Sequence, residues 1–125
     1  MKKTIVMTAV LALILGVSGT QAQVTTERYI PVGQSPGMSG VYTLMGEIGS
    51  VAEQGQSFTV SSGGETHTVQ ITPETRIWLD RSSLREAATT GTSADLVAGR
   101  TVEVKYQNEQ VRERADWIKV VIGGV

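Results

Sequence analysis

The side chains that most often do chemistry are sparse in this chain. Among its 125 residues there is one histidine, His67, and no cysteine. A two-histidine metal site or a histidine-rich sensor therefore cannot form within one copy. A zinc site would have to be built from several carboxylates, an uncommon donor set. The acidic residues are scattered and lack the closely spaced Asp/Asn ligands of a calcium loop. His67 shares an inward strand register with Val69 and reads as a barrel-end histidine bonded to a backbone carbonyl. Ser82-Ser83 and the other serines read as lying outside any Gly-x-Ser-x-Gly elbow. Gly33-Gln34-Ser35-Pro36-Gly37 superficially resembles a phosphate loop, but it lacks the Lys and the following helix. A carboxylate pair of the glycosidase kind would need Asp80, Glu86, Asp95 or Glu113 to meet in one cleft, and a domain this small offers little depth for one. The residues argue against an enzyme, and no metal or cofactor is implied.

What remains are the aromatics. Trp78 sits between Ile77 and Leu79, so alternation turns it outward beside Arg76 and Asp80. Trp117 stands likewise against Ile118 and Val120, although Ala115 and Val121 blur which side is inward. Outward tryptophans on a small barrel form a stacking platform for a ligand or an anchor for a protein partner. The plainer expectation is that a helical insert, the N-terminal arm or a bulge covers them, because Trp is usually largely buried. With Arg76 and with Tyr29 of the arm, Trp78 and Trp117 make up the candidate binding set.

These residues need elements to position them. Lys2 and Lys3 precede an apolar run from Ile5 to Leu15, and Thr20-Gln21-Ala22 resembles a small-x-small cleavage site. Residues 1–22 therefore read as a cleavable export signal. The run falls short of the roughly 20 apolar residues that span a bilayer, so no stable membrane insertion is expected after cleavage. The destination is the periplasm first, the extracellular space second. Removing Lys2 and Lys3 leaves 9 basic residues against 12 acidic ones, a net charge of about −3. That balance excludes a non-specific nucleic-acid binder, which needs a cationic surface. The remaining length suits one domain with a modest core, and without cysteine no disulfide supports it.

Residues 23–40 carry Pro31, Pro36 and several glycines, and read as an extended arm or linker. Tyr29-Ile30-Pro31-Val32 is too apolar for a pure spacer and points to contact with the domain. From residue 41 to 125 the period becomes two. Tyr42, Leu44 and Ile48 alternate with polar neighbours, and Gly46 on the inward register marks a bulge or a close backbone approach. Phe58 and Val60 make a second strand, and Gly63-Gly64 a tight hairpin. His67, Val69 and Ile71 make a third, interrupted at Pro73 and resumed by Ile77 and Leu79. Ser83-Leu84-Arg85-Glu86 has the form of a capping box and predicts a short helix to about Ala88. Ser93 to Leu96 predicts a second helical turn ended by Gly99. Val102, Val104 and Tyr106, then Ala115 to Ile122, supply two last strands. The order predicts a mostly β fold, a small five-stranded OB-like barrel with a short helical insert between strands 3 and 4.

At this level the chain resembles a family. Gly46-Glu47-Ile48, Phe58-Thr59-Val60 and the run Val69 to Ile77 look like those of an uncharacterised family of small secreted bacterial OB-like domains. So do Ala94-Asp95-Leu96, Gly99-Arg100-Thr101-Val102-Glu103-Val104, Ala115 and Ile118. The resemblance covers about residues 44–122 and rests on core and turn positions. It implies fold and export, and brings no catalytic residues. The expected function is a non-enzymatic binding or adaptor module of the cell envelope contacting a protein partner through a barrel face. The alternative is a binder of carbohydrate or another oligomer in an aromatic-lined OB-like groove.

Overall fold

A computed structural model of the chain describes residues 26–123; the export signal expected at 1–22 and the start of the arm lie outside them. Seven strands form one mixed sheet in the order β3-β2-β1-β6-β7-β4-β5. They are β1 (Thr43–Val51), β2 (Ser57–Ser62), β3 (Glu65–Gln70), β4 (Arg76–Asp80), β5 (Thr89–Thr90), β6 (Thr101–Tyr106) and β7 (Ala115–Val121). All pairings are antiparallel except β4 with β7. The sheet curls enough for Gln70 to bridge Arg114, but it does not close.

Two expectations are corrected here. In place of five strands there are seven: the Thr72–Thr75 turn at Pro73 ends β3 and lets β4 start a separate pairing with β7, and the two-residue β5 adds to the edge of β4. In place of a helical insert, the chain between β4 and β6 holds two 3-10 turns, Ser82–Leu84 and Ser93–Asp95, and the short β5. The expected capping box fails for local reasons. Arg85 takes a left-handed φ of 57° and stops the turn. The Ser83 hydroxyl bonds the Ile122 carbonyl at 2.9 Å. Glu86 pairs with Arg81 at 2.8 Å.

The inner face follows the apolar alternation. Leu44, Ile48, Phe58, Val60, Val69, Ile77, Leu96, Val102, Val104, Tyr106, Ile118 and Val120 form one buried cluster. Ala115 joins it because Asp116 is an extra residue in β7. The register steps from Lys105 opposite Trp117 to Tyr106 opposite Ala115, and such a bulge resets the alternation. Gly46 is the close approach expected of it. A Cβ there would lie 2.1 Å from the Ser61 carbonyl oxygen. Gly63 and Gly64, at φ 58° and 85°, close the β2–β3 hairpin.

The outer face of β1, β6, β7 and β4 is not left to solvent. Register aligns Thr43, Lys105, Trp117 and Arg76 in one cross-strand row, and Met45, Glu103, Lys119 and Trp78 in the next. Residues 26–42 lie over these rows in successive turns, with Ile30 N–H bonded to Glu27, Met38 N–H to Ser35, and Tyr42 N–H to Met38. The arm is thus a folded cover, where the sequence alone suggested an extended segment.

Candidate functional site

Three charged side chains of the outer face are buried: Asp80, Glu103 and Lys119. Burying a charge is costly unless it is paired and hydrogen-bonded, and here the arm supplies the partners. Glu103, with no exposed surface, accepts Gly33 N–H at 2.9 Å, the Ser39 hydroxyl at 2.6 Å and the Thr43 hydroxyl at 2.7 Å. Lys119, 1 % exposed, donates to the Glu27 carboxylate at 2.8 Å, the Ile30 carbonyl at 2.9 Å and the Ser35 hydroxyl at 3.3 Å. Asp80 accepts Val32 N–H at 2.9 Å on one oxygen, and the Ser82 N–H and hydroxyl on the other. Burial pushes the Asp80 carboxyl up. The Ser82 and Val32 hydrogen bonds and the Lys119 charge outweigh it, so the group ends below its ordinary value.

Beside this clamp, the arm and the sheet enclose a cleft of about 560 Å³. Trp78 and Trp117 form its floor, stacked with centroids 5.5 Å apart and planes at 25°. The Arg76 guanidinium lies 5.4 Å from the Trp78 ring centre and the Lys119 ammonium 4.7 Å from that of Trp117. Both tryptophans are buried, at 6 % and 4 % exposure. Arg76 pairs with Asp116 at 3.0 Å on the rim. Pro36, Met38 and Tyr42 form an apolar lip, with Tyr42 half-exposed.

Of the four residues singled out by sequence, the structure brings Trp78, Trp117 and Arg76 together. Tyr29 does not line the cleft; it is half-exposed on the arm beneath the Arg28 guanidinium. Sequence reasoning missed Glu27, Tyr42, Lys105, Glu103 and Lys119. A charge at every second position of an apolar strand reads as solvent-facing, and only the long-range docking of the arm reverses that.

The remaining chemical candidates are each engaged locally or exposed. His67 is half-exposed on β3, its Nε2 3.8 Å from Glu65. Asp95 accepts the Thr92 N–H at 2.8 Å. Among the described residues, no three His, Cys, Asp or Glu side chains gather where they could hold a metal ion. Contrary to the expectation for the serines, residues 33–37 do spell the Gly-x-Ser-x-Gly pattern, but Ser35 is buried among turns, with turns and not a strand immediately before it, unlike the strand-to-helix elbow that exposes a nucleophile. Its hydroxyl donates to Glu27. Among the described residues no helix is long and apolar enough to cross a membrane. Comparison with family models, curated proteins and solved structures finds no match.

Proposed function

We propose that this chain is a non-enzymatic binding or adaptor module of the cell envelope, exported under the direction of residues 1–22, and that it holds a protein partner at the arm-walled cleft. The observation that carries the reading is the cleft's construction. A rigid aromatic floor is walled by an arm fixed through buried charges and ends in an apolar lip open to solvent. Its volume lies in the roughly 300–1,000 Å³ range of ligand pockets. The lip continues into Val41, 60 % exposed, and Tyr42, 51 % exposed. Exposed aromatic and aliphatic groups beside a concave apolar site are what a partner's anchor residue packs against.

The carbohydrate alternative is weaker on one point. Sugar stacking needs a free aromatic face, whereas Trp78 and Trp117 stack on each other and each has a cation over its ring. For architecture, the finer reading is OB-like. Counting β3 and β4 as one strand broken at Pro73, the pairings run in a circuit from β1 through β2, β3–β4, β7 and β6 back to β1, with the parallel step at β4–β7. That circuit supports kinship with the small secreted OB-like domains the sequence resembles.

The test is affinity capture from envelope extract with residues 23–125 as bait, beside a Tyr42→Ser bait that alters only the lip. A protein recovered by the native bait and lost with Tyr42→Ser is the expected result. Equal recovery by both baits places the contact elsewhere. Glycan fragments that shift tryptophan emission while no protein is captured would favour the alternative.

A further inference from the structure

The cleft lining carries two anions and two cations, and one of the cations has no ion pair among the described residues. Glu27 pairs with Lys119 and Asp116 with Arg76. Lys105, the other cation lining the cleft, donates only to the Tyr106 carbonyl, at 3.1 Å, and has no carboxylate within ion-pair distance among the described residues. It is half-buried, and the register sets it between Thr43 and Trp117. A half-buried ammonium beside an aromatic floor is a site for one anion. Partial desolvation strengthens its attraction to a carboxylate above that of a solvated surface pair.

We propose that the cleft takes an acidic peptide segment of the partner. An Asp or Glu side chain pairs with Lys105 while a neighbouring apolar side chain enters between the Pro36–Met38–Tyr42 lip and the tryptophan floor. This rests on the protein-partner reading above and gives the partner its chemistry. The charge complementarity is local. The chain as a whole is net acidic, so the attraction of an acidic segment comes from Lys105 itself and must outweigh that general repulsion. The two-part pattern also supplies selectivity. An acidic peptide without an apolar neighbour leaves the floor unfilled, and an apolar peptide without a carboxylate leaves the ammonium unpaired.

The experiment is a selection of phage-displayed random peptides on the full chain, followed by titration of the winners. Trp78 and Trp117 are the only tryptophans and both floor the cleft, so emission from tryptophan-free peptide complexes reports on the site itself. The selected peptides should share an Asp or Glu next to an apolar residue. Their affinity should fall about tenfold in Lys105→Gln, as loss of one charge-assisted contact predicts, and recover in Lys105→Arg. Raising the salt should weaken binding to the native chain more than to Lys105→Gln. Winners lacking acidic residues, or affinities indifferent to Lys105→Gln, overturn the charge assignment and leave the docking reading standing. If no peptide perturbs the tryptophans, the docking reading fails and the proposal with it.

Discussion

Replacing Lys119 by Met keeps most of the side chain's length and apolar stem but removes the ammonium that joins the arm to the sheet. The ammonium is 1 % exposed and serves the Glu27 carboxylate, the Ile30 carbonyl and the Ser35 hydroxyl. Removing one member of a buried pair strands the other and costs about 3–5 kcal/mol. An exposed pair such as Arg76–Asp116 is worth about 0–1 kcal/mol. Set against the roughly 5–15 kcal/mol that holds a small domain together, the loss at Lys119 is large. With a urea m-value of about 1–3 kcal/mol/M, the midpoint of Lys119→Met should fall by on the order of 2 M. Arg76→Gln should barely move it. Tryptophan fluorescence follows the transition, since both indoles lie under the arm. The double variant Glu27→Leu/Lys119→Met should recover part of the loss, because Glu27 is no longer stranded while Asp80 still loses the nearby Lys119 charge. A Lys119→Met cost below about 1 kcal/mol, or a double variant worse than the single one, would refute the view that this ion pair holds the arm down.

Three other outcomes follow from the same geometry. Gly46→Ala puts a Cβ 2.1 Å from the Ser61 carbonyl oxygen and 2.9 Å from Val60 Cγ1. It should destabilise by about 3 kcal/mol or more, read by thermal or urea unfolding. The folded Asp80 carboxyl is held below its ordinary 3.8, so the unfolded chain takes up a proton first as pH falls. The stability Asp80 contributes is therefore full above that value and is lost as pH falls through the folded one. Acid titration of stability should be shallower in Asp80→Asn across that window. The stacked indoles should couple in circular dichroism, and either Trp78→Phe or Trp117→Phe should abolish the paired signal.

The strands and their inner face were largely legible in the sequence. Val102, Val104 and Tyr106 alternate cleanly, Gly63-Gly64 can make little other than a tight turn, and Gly46 on the inward register had to mean close backbone. The insert was misleading, since the Ser83–Glu86 spacing fits a helix start. A left-handed Arg85 and bonds from Ser83 to Ile122 and Glu86 to Arg81 win instead. Alternation did turn Trp78 and Trp117 to the outer face, and it allowed the arm as their cover. It could not show how that cover is held. The contacts of Glu103 with Gly33 and of Lys119 with Glu27 span 70 and 92 residues of chain. No local pattern encodes them. The bulge at Asp116, which places Ala115 and Ile118 on one face, explains why β7 resisted a two-residue period.

The central claim is that the cleft over Trp78 and Trp117 is where this chain meets its partner. It is tested most directly by amide hydrogen exchange on the chain with and without the captured partner. Protection should appear across residues 36–42 and at Lys105–Tyr106 and Asp116–Trp117, with the β2–β3 hairpin unchanged. Protection confined to that hairpin or to the Gln56–Ile71 end of the sheet, with the arm unaffected, would contradict it.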